Sequence, residues 1–161
     1  MTPSNTYAGF WLRFVAYLLD YIVIYIIQAF VFIPILGILG ISFAASTGFD
    51  FWRLNDEDMI GWIIALVSAV IIGAIIAFII QVLYFSIMES SKYQATLGKI
   101  ILGLIVTDTE GNRLDIGKSL LRNLGKIISG FILMIGYIMA GLTDKKQALH
   151  DIIAGALVVK K

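Results

Sequence analysis

One predominantly apolar stretch, Phe10 to Pro34 (FWLRFVAYLLDYIVIYIIQAFVFIP), is long enough to cross a bilayer, yet it carries Arg13 near its start and Asp20 near its middle. About 20 apolar residues at ~1.5 Å rise each span the hydrocarbon core. A charge at bilayer depth costs at least about 2.5 kcal/mol on insertion scales. A plain anchor would hold leucine at position 20. Asp20 therefore needs partners, and the rest of the chain is read as the place to find them.

The 161 residues are 60% hydrophobic and only 14% charged. Soluble domains carry about a quarter charged residues, so the chain reads as an all-α integral membrane protein in one domain, residues 1–161. Its net charge of +1 comes without the basic runs of nucleic-acid binders, so no nucleic acid is expected as a partner. The absence of Cys excludes disulfides and thiolate metal sites, and a single His argues against a histidine-built metal centre. No Gly-x-Ser-x-Gly, P-loop or dinucleotide fingerprint occurs, so neither an enzyme nor a cofactor is expected. A cleaved signal peptide is the alternative for the N-terminus. The apolar run is longer than the roughly 7–15 residues of a signal core and contains Asp20, so a retained helix is expected.

Taken in order, a first transmembrane helix is expected over about 10–34, ending or kinking before Pro34. ILGILGISFAAS then either extends it or lies at the interface. An acidic loop with Trp52 and Arg53 follows, and Asn55 or Asp56 is placed to cap a second transmembrane helix over about 60–88. A strand-turn segment is expected over about 100–115, with a return strand at Arg113–Ile116. Asp115 should cap a helix starting at Ile116. The region of about 116–142 is read as a re-entrant hairpin bending near Ser129-Gly130, or as a third span. A C-terminal helix, capped by Thr143 or Asp144, and a strand complete 143–161. That strand, GALVVKK, should pair with Leu102–Thr107 in a small cytoplasmic β-element.

Basic residues favour the cytoplasmic side of short loops. The first loop holds only Arg53, whereas Lys92, Lys99, Arg113 and Lys118 follow the second helix. The chain is thus expected in the cell membrane with both termini on the cytoplasmic side. A hairpin fits better than a full third crossing, because Lys145, Lys146, Lys160 and Lys161 would otherwise lie outside.

Three blocks in this order resemble the RDD family of small membrane proteins, named for one arginine and two aspartates. GFWLRFVAYLLDYIV places Arg13 and Asp20 on its pattern. TLGKIILGLIVTDTEGNRLDIGKSLLRN supplies Thr96, Gly98, Lys99 and Arg122, and GYIMAGLTDKKQALHDIIAGALVV supplies Gln147, His150 and Asp151. Ala156 departs from the pattern, where members often have Thr. The resemblance implies a membrane protein with a role in transport. Some members are linked to cation/proton exchange, and others look like accessory subunits.

Asp20, Asp151, Arg13, Arg122 and Lys126 are the candidate ion- or proton-binding residues. Glu89, Lys99, His150, Gln28, Gln81 and Tyr17 are secondary candidates. Arg13 and Asp20 lie about 10.5 Å apart along a helix axis, too far for a direct pair. Arg13 is expected to snorkel to headgroups; the alternative is a carboxylate on another segment. Asp20 either pins the first helix to the hairpin or carries a proton or cation, facing Arg122 or Lys126 from a basic stripe of Lys118, Arg122 and Lys126. Tyr17, Tyr21 and Tyr25 supply hydroxyls to Asp20 or simply fill space. Gln28 and Gln81 extend a polar track or only glue helices. Glu89, Lys99, His150 and Asp151 should gather at the cytoplasmic mouth, with His150 as a capping residue that points away from Asp151.

Two functions follow as expectations. In one, monovalent cations or protons cross on Asp20, with Arg122 and Asp151 setting its affinity. That requires a homo-oligomer, since two spans and a hairpin are too few for a pathway in one copy. In the other, the chain is a scaffold or accessory subunit of a larger membrane partner, and its charges fix helix packing. Neutralising Arg122 should then rescue Asp20→Asn.

Overall fold

The long apolar runs form helix α1, Phe10–Thr47, and helix α2, Asp56–Ser90. Leu, Ile and Val side chains are exposed along both, which suits hydrocarbon and not water. These two helices are long and apolar enough to cross a membrane. The computed structural model describes residues 7–47, 56–132 and 135–161, without the side chains of residues 47, 56–58 and 131. The expected acidic loop, with Trp52 and Arg53, and the Asn55 or Asp56 cap lie outside the described residues.

Pro34 does not end the first helix; of the two outcomes expected for ILGILGISFAAS, the extension of the helix is the one found. Proline removes one N–H, and apolar transmembrane helices tolerate that loss. The residues beyond it are apolar and helix-compatible, so α1 continues to Thr47.

The chain forms two compact units, Met1–Ile24 with Gln81–Lys161, and Tyr25–Ile80. The second unit is a helix pair from α1 and α2. In it Gln28 Nε2 donates to the Ala77 carbonyl at 3.2 Å, and Phe43 meets Trp62 edge-on at 4.7 Å.

The first unit holds the remaining elements. These are α3 (Leu97–Ile101), β1 (Leu104–Asp108), α4 (Ile116–Phe131), α5 (Ile135–Leu142), α6 (Leu149–Ala154) and β2 (Ala156–Lys160). Strands β1 and β2 pair antiparallel, from Leu104 opposite Lys160 to Asp108 opposite Ala156, as expected for the tail. Leu104, Val106, Leu114, Ala156 and Val158 form the core here, with Ala8 and Ala16.

The expected return strand at 113–116 is reduced to one bridge, Thr107 to Arg113. Asp115 accepts from the Gly117 N–H at 2.8 Å and starts α4, leaving too few residues for a ladder. The first part of the expected strand segment is also helical, as α3.

Helix α4 is amphipathic in the sense opposite to a soluble helix. Ser119, Arg122, Asn123 and Ser129 are buried, while Leu121, Leu124, Ile127 and Ile128 are exposed. An apolar face turned outward suits lipid or its interface. The bend expected near Ser129-Gly130 lies just beyond it, between the end of α4 at Phe131 and the start of α5 at Ile135. Ser129 Oγ bonds back to the Gly125 carbonyl at 3.2 Å, so that turn stays helical. Helices α4 and α5 are bent by 107° and make a third crossing only if counted together as one broken span. The Cβ of a side chain at Gly136 would lie 2.7 Å from Ser129 Cβ, so this elbow closes only on glycine.

Candidate functional site

Most of the charged residues singled out from sequence converge in the first unit, but with different partners. Asp20 is fully buried, yet its partners are not basic. Its Oδ1 accepts from the Gly98 N–H at 2.7 Å and from the Tyr84 hydroxyl at 3.0 Å, and its Oδ2 accepts from Thr96 Oγ1 at 2.5 Å. The Tyr84 hydroxyl also accepts from the Leu97 N–H at 3.2 Å. Thr96 precedes α3 without capping it through its own side chain. Asp20, from a distant helix, takes over that task, and tyrosine and threonine complete its shell.

The expected contact of Asp20 with Arg122 or Lys126 is not found. Arg122 is claimed by two other carboxylates. Its Nε donates to Asp151 Oδ1 at 2.7 Å, and its NH1 lies 2.6 Å from Glu89 Oε1. The latter contact is Coulombic, without a well-aligned N–H bond. Lys99 pairs with the same Glu89 oxygen, and Arg13 pairs with Asp151 Oδ2. Arg13 Nε also donates to the Ala8 carbonyl at 2.8 Å. Arg13 thus faces a carboxylate from another segment and does not snorkel. Lys99, Glu89, Arg122, Asp151 and Arg13 make one alternating chain of charge.

Neutral groups complete it. Asn123 Nδ2 donates to Glu89 Oε2 at 3.2 Å and to Ser86 Oγ at 3.2 Å. The Ala148 N–H donates to Asp151 Oδ2 at 3.1 Å, so Asp151 also closes the first turn of α6. The basic stripe splits: Lys118 is exposed and Arg122 is buried. Lys126 donates to Asn123 Oδ1 at 2.6 Å and lies 3.9 Å over the Phe85 ring.

His150 is not a capping residue. It is buried against α4, with Nδ1 3.1 Å from Ser129 Oγ. Its Nε2 reaches 3.6 Å from Asp151 Oδ1, although adjacent helix positions were expected to diverge. Gln81 Nε2 meets the Tyr17 hydroxyl at 3.4 Å, and Gln28 serves the helix pair of the other unit. Gln147 Nε2 holds the Ala156 carbonyl at 2.9 Å. Sequence reasoning missed Tyr84, Asn123, Ser129 and Ser119, whose Oγ donates to Glu89 Oε2 at 3.5 Å, as members. The only signal for Asn123 and Ser129 was their place on the polar face of an otherwise apolar helix.

Burial alone would raise the Asp151 carboxyl, but Arg122 and Arg13 override it and hold the group well below its usual range. Burial also lowers Lys99, with Glu89 opposing. Burial pushes His150 down to about 3, opposed by Asp151 and assisted by Arg122, Lys126 and Arg13. Among the described residues no three acidic or histidine side chains converge as metal ligands would.

A pH effect follows. An unfolded histidine titrates near pH 6.5, at roughly the model-peptide value. Between there and pH of about 3, the unfolded chain binds a proton that folded His150 refuses. Stability therefore rises with pH in this window and falls on acidification through it. Asp151 adds a further loss only below its unfolded value of 3.8. Unfolding midpoints in detergent should drop from pH 7 to 4.5, and His150→Asn should flatten that slope. An unchanged slope would show that another group sets it.

Comparisons with known proteins agree on kinship. The RDD family model matches residues 7–155. "Uncharacterized protein YxaI" of Bacillus subtilis (strain 168) is 35% identical over 154 residues, 96% of this chain and 97% of its own. "Uncharacterized membrane protein YteJ" of the same organism is 28% identical over 158 residues, 97% of this chain and 82% of its own. No solved structure matches.

Proposed function

This chain belongs to the RDD family, and on that premise we propose that it is a non-transporting membrane scaffold or accessory subunit whose buried charges fix how its helices pack. The observation that carries the reading is the state of Asp20. Both its oxygens are occupied by the Gly98 N–H, Tyr84 and Thr96, and no basic nitrogen lies within 4.0 Å among the described residues. A carrier must take up and release its ion without dismantling its neighbours. Here, losing the carboxylate uncaps α3. The alternating chain from Lys99 to Arg13 has the same character, since each carboxylate touches two cations.

In this role the chain carries no catalytic step and serves a larger membrane partner. Both termini face the cytoplasm of the cell membrane, in line with the basic residues after α2 and at the tail. The alternative is transport of monovalent cations or protons on Asp20, in a homo-oligomer. It draws on Asp20 also bordering a cavity.

Proteoliposome flux separates the two. Asp20→Asn should leave sodium, potassium and proton flux at the level of empty liposomes, as for wild type, while lowering the unfolding midpoint. Wild-type flux that Asp20→Asn abolishes in a folded variant would establish the transporter. Neutralising Arg122 should not rescue Asp20→Asn, because Arg122 serves Glu89 and Asp151.

A further inference from the structure

The charge network borders a cavity of about 340 Å³ inside the unit formed by Met1–Ile24 and Gln81–Lys161. That is the small end of the range for ligand pockets, roughly 300–1,000 Å³. Its wall is of two kinds. Phe10, Phe14, Phe85 and Ile138 make it largely apolar, while Arg13, Lys99, Arg122 and Lys126 also border it.

The charges around it do not balance. Four cations, Arg13, Lys99, Arg122 and Lys126, stand against three carboxylates, Asp20, Glu89 and Asp151. Arg13, Lys99 and Arg122 each have a carboxylate in ion-pair contact. Lys126 has none within 4.0 Å among the described residues. Its ammonium has Asn123 Oδ1 and the face of Phe85, which is cation–π support but not a counter-charge. Lys126 is half-buried, and a cation drawn out of water without a counter-charge is costly. The cavity beside it has room for an anion, and the aromatic wall suits an apolar body.

We propose that this cavity binds a small amphipathic anion, its carboxylate or phosphate head against Lys126 and its alkyl or aryl body along Phe10, Phe14, Phe85 and Ile138. The surplus of positive charge disfavours a metal cation, and the apolar wall disfavours a bare inorganic anion. The head and body belong either to an anionic lipid or to a free amphiphile. This site goes beyond the scaffold reading and does not rest on it, since Lys126 takes no part in capping α3, although Asp20 borders the same cavity.

The test is calorimetric titration of the full chain, in phosphatidylcholine nanodiscs, with hexyl phosphate, empty nanodiscs being subtracted. Saturable binding is expected, with inorganic phosphate and hexanol each at least tenfold weaker. Lys126→Met should weaken hexyl phosphate at least tenfold, and Lys126→Arg should retain it. Gly130 also borders the cavity, and a Cβ there meets nothing within 4 Å. Gly130→Leu should therefore weaken binding with every charge in place and the unfolding midpoint kept.

Phosphatidylglycerol in the nanodiscs distinguishes the sources. If a lipid is the occupant, it removes the hexyl phosphate signal, and native mass spectrometry finds it retained by wild type and lost from Lys126→Met. If a free amphiphile is, the signal survives. No saturable signal together with no retained lipid overturns the proposal. So does wild-type affinity in a folded Lys126→Met or Gly130→Leu protein.

Discussion

Arg122→Met is expected to destabilise the protein by at least about 3–5 kcal/mol, the usual cost of removing one partner from a buried ion pair. Arg122 is shared between two fully buried carboxylates, Glu89 and Asp151. Methionine keeps much of the volume but leaves both acids short of a cation. Lys99 still serves Glu89 and Arg13 still serves Asp151, so the network fails at its centre and not at its ends. Typical domains hold only about 5–15 kcal/mol in total. The variant should therefore accumulate poorly in membranes, with a large drop in its unfolding midpoint in detergent. The triple variant Glu89→Gln, Arg122→Met, Asp151→Asn should not recover that loss, because Lys99 and Arg13 would then be largely buried cations without a carboxylate. A wild-type midpoint for Arg122→Met alone would remove the network as the organising element.

The second large effect is expected at Gly98, for steric reasons. A Cβ there would sit 2.2 Å from the Ala16 carbonyl oxygen and 3.0 Å from Asp20 Cγ. A main-chain oxygen cannot rotate aside, so Gly98→Ala must push α3 off α1. That displacement also breaks the 2.7 Å bond from the Gly98 N–H to Asp20. Overpacking costs about 1–3 kcal/mol, and a hydrogen bond to a charged group about 1.5–3 kcal/mol. The sum is about 3 kcal/mol or more, read as a lower unfolding midpoint and faster amide exchange over residues 96–102. Ala16→Gly should not rescue it, since the clash is with backbone. Gly130→Ala is the control, because that Cβ meets open space and alanine favours a helix interior by roughly 0.5–1 kcal/mol. Equal behaviour of the two alanine variants would show that α3 is not held close to α1.

These two sites also mark how far the sequence could be read. The conflict at Asp20 was plain, because a carboxylate in an apolar run has no cheap explanation. Its resolution was not. Arg122 and Lys126 looked like the natural partners, since opposite charge is the first compensation sequence reasoning reaches for. The chain instead uses one backbone N–H and two hydroxyls, and backbone donors have no residue letter. Thr96 and Gly98 fit the family pattern, but that pattern does not show the cap that Asp20 completes. Helix α4 misled in a related way. Its i, i+4 rule put Lys118, Arg122 and Lys126 on one stripe, but burial along a helix varies with what packs at each level. Lys118 lies outside the packed region, while Arg122 lies within it.

The membrane class, two long spanning helices, the helix start at Asp115 and the pairing of the tail strand were determined by the sequence alone. All of these rest on local signals: run length, apolar periodicity, a capping side chain and a β-rich stretch. Which cation meets which carboxylate, how α4 turns its polar face inward and where the cavity lies were decided only by the tertiary structure. Those depend on Arg13, Glu89, Arg122 and Asp151 meeting across several segments, and Coulomb energy depends on distance in space, to which separation along the chain is no guide.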